Sequence, residues 1–528
     1  MKFLATPHTV LLPFLILIVL LPLYRQTSFA PPNTQYSFVH GYFSDYYSYL
    51  SYIRQGAVQF HQTNQFTTEN PQPTWTHVFY LILGRVGSFL NLSPITAYHG
   101  AIVVSLTIFY FFTYALIQLV IPVSYRLLAL GFIFLASPIG PVGNISLFGV
   151  SLTVSSVFWT RMDLYTRHSL VPHHFASIAL FIAATYFIFL YIKKKQMKWA
   201  LVCAITNAVG TFFLNIPGLI FLLALIGTTF LMRVKRELLP GILLIIALGI
   251  AMHLIVFKIH TSARPTQLDQ LEWEYKHHKA EVYPINFSVY LLSYGILLLF
   301  IPFSIMSIIK RKRFDCLFIL LAAILPLLLY LSSVMGWITI NKLRFVYSAP
   351  YVFAGLLATL GSKTIFDRLH SRVGRKLLIL VIIVLLLGSN INGLRNHWFP
   401  LLLKRRIYKN VYIPKGHIQA VKFLDSYVPR YTKVLTTWST GGFIPAFSYL
   451  RVFIGHELLT PNFWQKWDLA DKFYMGKMTK DEAKKLLVEN DIAYVFWDLG
   501  SPVAAYKDIL SEVYTTSGVT LYKVRLES

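Results

Sequence analysis

Three isolated acidic residues stand beside long apolar runs of the sequence. Asp45 occurs in the stretch FSDYY, Glu69 is the only other acidic residue before position 97, and Asp163 is the only one between positions 141 and 169. A carboxylate beside an apolar run is costly unless it has a task, so each is a candidate general base, metal ligand or substrate ligand. The spacing leaves open whether the three meet, and Asp45 could instead interact with the dipole at the start of a helix.

Histidine and arginine side chains accompany the third acid. His173 and His174 open an apolar run shortly after Arg161, and Arg344 opens a later one. Such side chains suit a phosphate or pyrophosphate ligand, because cationic groups make charge-assisted hydrogen bonds to phosphate oxygens. The alternatives are a histidine pair without a ligand and an Arg344 whose stem lies along lipid while its charge reaches water.

Several other kinds of site are absent from the sequence. It contains no nucleotide-binding loop of the G-x-x-x-x-G-K-[ST] type and no paired cysteines with zinc-ligand spacing. The two cysteines, Cys203 and Cys316, lie in or beside apolar runs, so a disulfide framework is not supported. The sequence therefore argues against ATP-driven transport by this chain alone. It leaves the cofactor open, with a divalent metal ion as the candidate that the acidic residues raise.

The composition is that of a protein covered largely by lipid. Of 528 residues, 55% are hydrophobic and only 13% are charged, and the mean hydropathy is +0.57. We predict a polytopic α-helical membrane protein with about eleven transmembrane helices in residues 1–395. A basic juxtamembrane linker at 396–410 would join them to a small extracytoplasmic α/β domain at 411–528. The apolar windows lie near 9–23, 97–120, 125–140, 170–192, 199–214, 215–232, 239–258, 286–309, 315–333, 344–361 and 377–394.

Basic residues set the predicted orientation. Lysines and arginines number 48 against 22 acidic residues, and many cluster directly after apolar runs, at 193–198, 233–236, 310–313 and 363–376. Such clusters mark cytoplasmic loops, and this distribution argues against nucleic-acid binding. The prediction is a multi-pass plasma-membrane protein with a cytoplasmic N-terminus. The segments expected outside are 25–95, 141–169, 259–285 and the C-terminal domain.

The first outer segment, 25–95, is more than a plain loop. In residues 43–60, Tyr46, Tyr49, Leu50 and Ile53 recur at helical spacing, and residues 76–90 have the pattern of a second amphipathic helix. We expect both helices to lie in the membrane interface, where the many tyrosines of the chain also fit.

The C-terminal residues alternate between strand and helix patterns. Expected helices are 415–427 and 481–489, and expected strands are 433–438, 451–454, 493–497 and 519–524. This alternation predicts the small α/β domain. The polar turn Gly455-His456-Glu457 could face a site at the membrane, or it could simply join a strand to a helix.

The surroundings of Asp45 resemble those in the membrane glycosyltransferases of the GT-C superfamily. That superfamily includes protein O-mannosyltransferases and the lipid A aminoarabinose transferase. The resemblance covers residues 1–395 in layout and is carried by three short motifs: Phe43-Ser44-Asp45, then Tyr49-Leu50 with Ile53-Arg54-Gln55-Gly56, and the run Phe66–Glu69. It differs in one respect, because many members have paired acids where this chain has Asp45 alone.

The resemblance implies a reaction and roles for residues. Family members take a sugar from a polyprenyl-phosphate carrier and invert its anomeric centre, with an aspartate, here Asp45, as general base for the acceptor. Asp163 would be the second acid, which helps to bind the acceptor or a metal ion, and Glu69 would fill a third acidic position. The partners implied are a polyprenyl-phosphate sugar donor, a glycan, lipid or protein acceptor, and membrane lipids.

Two other functions remain open at this point. A transporter or flippase of lipid-linked sugars would use the same basic and aromatic groups without a catalytic base. We see no acid deep in an apolar run and no duplicated half, features that would favour transport. A non-catalytic envelope assembly protein would use its C-terminal domain to bind a partner.

Overall fold

The computed structural model describes residues 8–138, 145–147, 150–152, 163–262, 287–311, 313–337, 342–346, 350–391, 410–499 and 506–525. Arg161 lies outside them. The helices are α1 (His8–Thr27), α2 (Phe43–Gly56), α3 (Val78–Phe89), α4 (Pro94–Val120), α5 (Arg126–Leu130), α6 (Leu164–His168), α7 (Pro172–Lys194), α8 (Met197–Phe213), α9 (Asn215–Met232), α10 (Leu239–Ser262), α11 (Phe287–Leu292), α12 (Leu297–Arg311), α13 (Phe314–Val334), α14 (Lys342–Val346), α15 (Pro350–Arg368), α16 (Arg372–Ser389), α17 (Lys415–Tyr427), α18 (Trp438–Gly441), α19 (Ile444–Phe447), α20 (Phe463–Tyr474) and α21 (Lys480–Glu489). The strands are β1 (Thr34–Tyr36), β2 (Ile145–Leu147), β3 (Val150–Leu152), β4 (Tyr412–Pro414), β5 (Lys433–Leu435), β6 (Arg451–Val452), β7 (Tyr494–Trp497), β8 (Leu510–Thr516) and β9 (Val519–Val524).

Apolar helices dominate the described part of the chain. Six of them are long and apolar enough to cross a membrane: Val10–Thr27, Pro94–Val120, Pro172–Lys194, Asn215–Met232, Arg236–Ser262 and Phe314–Val334. Other helices, among them α15 and α16, occupy the remaining apolar windows of the sequence. This confirms the polytopic helical membrane class, while the count of about eleven crossings stays a prediction.

The chain divides into two compact units. The first contains the described parts of Met1–Pro22, Ile102–Phe257 and His278–Leu403, and the second contains those of Leu23–Ala101, Lys258–His277 and Lys404–Ser528. This division differs from the predicted one, because the outer segment 25–95 belongs to the same unit as the C-terminal residues.

The first unit consists largely of apolar helices that pack through small residues. Helices α7 and α8 form a tight pair in which the Ser177 hydroxyl donates to the Gly210 carbonyl oxygen at 2.8 Å. The Tyr191 hydroxyl donates to the Leu238 carbonyl oxygen at 3.1 Å, and Gly241 leaves room for its ring. Small residues and interhelical hydrogen bonds of this kind hold helices together in lipid, where hydrophobic burial between them gains little.

The second unit contains a five-stranded sheet in the order β6-β5-β7-β9-β8. Strand β5 is parallel to β6 and β7, and β9 is antiparallel to β7 and β8. One face packs on a core that includes Phe473, Leu487 and Trp497. The predicted α/β domain is thereby confirmed, although β5 and β6 end earlier than predicted and β8 and α20 were not predicted.

The outer segment joins this second unit through backbone and side chains. Strand β1 pairs antiparallel with β4, with Gln35 opposite Ile413. Helix α2 starts at Phe43 as predicted, but it ends at Gly56, four residues earlier than the sequence pattern suggested. Its residues Tyr46, Leu50 and Ile53 are buried, in agreement with their helical spacing, whereas Tyr49 is half-buried.

Two glycines bring α2 and α3 into close contact. A Cβ atom at Gly84 would overlap the carbonyl oxygen of Ile53, and one at Gly56 would overlap that of Leu81. The two helices can therefore approach each other only with glycine at both positions, and this contact fixes where α2 lies in the second unit.

We expect Gly84→Ala to destabilise the protein by about 1–3 kcal/mol, because the added methyl group forces the two backbones apart. Gly100→Ala in α4 is the matched control, since nothing lies within 4 Å of a Cβ atom there. The control should be neutral or stabilising, because alanine favours helix by up to about 1 kcal/mol. Thermal unfolding in detergent measures both, and equal unfolding temperatures for the two variants would contradict the close-packing account.

The orientation can be tested by cysteine labelling. The two native cysteines are buried, so the parent protein should react weakly with an impermeant reagent. Ser517 lies exposed in the turn between β8 and β9 and is predicted to be outside, whereas Lys194, exposed at the end of α7, is predicted to be cytoplasmic. A Ser517→Cys variant should label in intact cells and Lys194→Cys only in broken cells. The opposite pattern would reverse the predicted topology.

Candidate functional site

Asp45 lies in the first turn of helix α2. The chain is extended at Tyr42, and the helix starts at Phe43, so the carboxylate lies where the helix dipole favours negative charge. The Asp45 side chain is 45% exposed. The carboxylate can therefore be reached by another molecule, and a general base must be within reach of the group that it deprotonates.

His456 contacts this carboxylate. Its Nε2 lies 3.2 Å from Asp45 Oδ1, and its Nδ1 accepts the backbone N–H of Leu458 at 3.0 Å. Because Nδ1 is an acceptor, the hydrogen-bond pattern assigns a neutral ring whose proton is on Nε2 and is donated to Asp45. No hydrogen bond from the described residues reaches Asp45 Oδ2, so this oxygen can accept a proton from another molecule.

The turn that carries His456 is attached to the outer segment. The Thr460 hydroxyl donates to the carbonyl oxygen of Phe66 at 2.7 Å, and the Asn64 amide donates to that of Leu459 at 2.6 Å. The Phe66 ring meets the His456 ring edge-on, with 5.8 Å between their centroids. His456 is only 3% exposed, so its ring is fixed in place. Of the two interpretations of this polar turn, the structure supports the one in which it contacts a candidate site residue.

A second carboxylate lies beside the same histidine. Glu457 Oε1 accepts the Tyr42 hydroxyl at 2.7 Å, and Oε2 lies 3.9 Å from His456 Nδ1. Burial and the nearby Glu457 carboxylate raise the pKa of Tyr42 well above its usual range, so its hydroxyl stays protonated and donates. The start of α2 is thus joined to the turn by hydrogen bonds at both Tyr42 and Asp45.

Glu69 has a different partner within the second unit. Its carboxylate binds Lys466 at 2.6 Å, and Lys466 also donates to the Thr67 hydroxyl at 3.2 Å. Lys466 is buried, and burial lowers the pKa of its ammonium group. Sequence reasoning missed this ion pair, because the two residues are 397 positions apart and neither belongs to a local motif.

Asp163, in the first unit, is the N-cap of helix α6. Its Oδ1 accepts the backbone N–H groups of Tyr165 and Thr166 at 3.1 Å each, and its Oδ2 accepts the Thr166 hydroxyl. The residue is 7% exposed. The contacts are those of a helix cap, and the local signal was available: an aspartate directly before a helix is a preferred N-cap.

The predicted cationic residues also lie in the first unit. His173 is buried in the first turn of α7, and its ring meets that of His174 edge-on at 4.3 Å. Arg344 is half-buried in the short helix α14. Their role as phosphate ligands stays a prediction.

A metal centre was left open by the sequence. Within the residues that the structure describes, no three histidine, cysteine, aspartate or glutamate side chains form a group that could hold a metal ion. The described side chains thus do not fit a resident metal ion.

Comparison with known proteins gives matches in structure. No protein-family model matches the sequence, and no curated protein matches it. The chain is similar to the archaeal oligosaccharyltransferase AglB from Archaeoglobus fulgidus in complex with an inhibitory peptide and a dolichol-phosphate. The two are 12% identical with a TM-score of 0.51, over 92% of this chain and 69% of that chain.

Two further structures share the architecture. ArnT from Cupriavidus metallidurans bound to undecaprenyl phosphate is 11% identical with a TM-score of 0.50, over 97% of this chain and 98% of that chain. The arabinofuranosyltransferase AftD from Mycobacteria is 12% identical with a TM-score of 0.51, over 98% of this chain and 42% of that chain. At these identities the likeness is one of fold. The chain therefore has the fold of the GT-C membrane glycosyltransferases.

Proposed function

We propose that this chain is an integral membrane glycosyltransferase that takes a sugar from a polyprenyl-phosphate donor at the extracytoplasmic face. The observation that carries the proposal is Asp45, a half-exposed carboxylate with one oxygen held by a neutral histidine and the other open. The fold supports it, since AglB was solved with a dolichol-phosphate and ArnT with undecaprenyl phosphate. These are lipid carriers of the class that the proposal requires.

In the proposed reaction Asp45 is the general base. An acceptor hydroxyl gives its proton to Asp45 Oδ2 while its oxygen forms a bond to the anomeric carbon of the sugar. The bond from that carbon to the phosphate oxygen breaks on the opposite face, and the phosphate leaves with the electron pair. Attack opposite to the leaving group inverts the anomeric centre. Binding donor and acceptor together supplies much of the acceleration, because the reaction becomes effectively unimolecular.

The departing phosphate gains negative charge as the bond breaks. We assign His173, His174, Arg161 and Arg344 to its stabilisation, because fixed cations and hydrogen-bond donors act most strongly on charge that develops in the transition state. A transporter of lipid-linked sugars or an assembly protein would need no base, so both alternatives are outcomes of the next experiment.

Replacing Asp45 with asparagine tests the base. Asp45→Asn keeps the size of the side chain and a hydrogen-bond acceptor for His456 but removes the basic oxygen, so transfer should fall about 10²- to 10⁴-fold while the fold survives. The measurement is single-turnover transfer of a radiolabelled sugar from a polyprenyl-phosphate donor, with donor and acceptor saturating.

The matched control is Asp468→Asn, an exposed aspartate of the same unit whose partner is Lys472 in the next turn of its helix. Its transfer rate should equal that of the parent. A rate for Asp45→Asn within a few-fold of the parent would remove the base from the mechanism. Movement of the lipid-linked sugar across vesicles without transfer would favour the transporter.

A pair of variants separates the structural and chemical roles of Asp163. Asparagine caps helices as well as aspartate does, so Asp163→Asn should retain stability, whereas Asp163→Ala should cost about 1 kcal/mol of the free energy of unfolding. If the charge also serves the acceptor, Asp163→Asn lowers transfer mainly by weakening acceptor affinity. Equal acceptor affinity in Asp163→Asn and the parent would leave Asp163 with its capping role alone.

A further inference from the structure

We infer that His456 is a positioning residue for Asp45: it acts as a fixed, neutral hydrogen-bond donor that turns the carboxylate so that Oδ2 faces the acceptor. This inference rests on the proposed function. It adds a residue of the C-terminal part of the chain to a candidate site whose base lies in the outer segment of the same unit.

The His456 ring carries a single proton. The N–H of Leu458 points at Nδ1, so a second proton on the ring would set two N–H groups against each other. His456 therefore donates its Nε2 proton to Asp45, and its other nitrogen, Nδ1, is already occupied by the Leu458 N–H. A histidine held in this way cannot replace Asp45 as the base, but it can fix the orientation of the carboxylate.

The turn that carries His456 is rigid. Gly455 approaches Phe66 so closely that a Cβ atom would lie 2.8 Å from the Phe66 ring and 2.7 Å from the carbonyl oxygen of Gly441. The Gly455 N–H donates to the Thr460 hydroxyl at 3.3 Å, which in turn donates to Phe66. A donor on a turn fixed at this many points holds its hydrogen bond at low entropic cost, which is the requirement for preorganisation.

The two oxygens of the carboxylate have different surroundings. Asp45 Oδ1 accepts the His456 proton, while the side chain as a whole is 45% exposed. The hydrogen bond at Oδ1 therefore orients the carboxylate and leaves Oδ2 for the acceptor.

The test compares three replacements of His456. His456→Leu fills the space without a donor, and His456→Gln keeps an N–H donor at similar reach. His456→Asn is polar but too short to reach Asp45. We expect Leu and Asn to slow single-turnover transfer about tenfold and Gln to restore most of the rate. In the Leu and Asn variants the loss should fall on the single-turnover rate constant, while the acceptor concentration that gives half the maximal rate stays near that of the parent, because acceptor binding does not require the oriented carboxylate.

A matched control separates positioning from general damage. His417 is a second buried histidine of the same unit, 3.4 Å from the carboxylate of Asp498. His417→Leu should leave the single-turnover rate constant of the folded protein near that of the parent, whatever its effect on stability. Should His456→Leu fail to fold, His456→Asn carries the same expectation.

A double variant tests whether His456 acts through Asp45. When Asp45 is already asparagine, His456→Leu should cause no further loss of transfer, because the histidine acts through the carboxylate. An unchanged rate constant in His456→Leu, or an additive loss in the double variant, would overturn the positioning role while leaving Asp45 as the base. Undiminished transfer by Asp45→Asn would instead overturn the base itself.

Discussion

Helix α2 is held by the C-terminal residues at both of its ends. At its start, Asp45 and Tyr42 bind the turn at His456 and Glu457. At its end, Arg54 forms an ion pair with Asp425 and lies over the Tyr449 ring at 4.6 Å from its centroid. A helix fixed at two points cannot rotate about its axis without breaking one set of contacts, so the direction of the Asp45 side chain is determined by the whole second unit.

A buried amide network determines the register between these parts. Gln65 donates to the carbonyl oxygen of Leu450 at 2.8 Å, and its own oxygen accepts Ser51 at 2.7 Å and Gln55 at 2.9 Å. Gln65 is fully buried, and a shift of the chain by one residue would leave polar atoms unsatisfied at about 1–3 kcal/mol each. Polar atoms thus specify one arrangement in a region where apolar packing alone would tolerate several.

Local patterns account for much of what could be predicted. Apolar windows gave the positions of the long helices, and the spacing of Tyr46, Leu50 and Ile53 gave α2 and its buried face. The pairing of β1 with β4, and of Glu69 with Lys466, joins residues nearly 400 positions apart and leaves no periodic signal in either segment. Asp45 could be predicted as the candidate base because it belongs to a recognisable local motif. Its contact with His456 could not be predicted, because His456 belongs to a turn whose neighbours come from elsewhere in the chain.

The 411 positions between Asp45 and His456 have a consequence for biosynthesis. Chains are synthesised at about 5–20 residues per second, so the aspartate emerges from the ribosome roughly 20–80 s before its histidine. During that interval α2 lacks Arg54's ion pair, the β4 strand and the turn that fixes Asp45. The newly made outer segment is without these partners throughout that interval, and the contact between Asp45 and His456 forms only after the turn has been synthesised. An abandoned, truncated chain would therefore carry the carboxylate without the geometry that directs it.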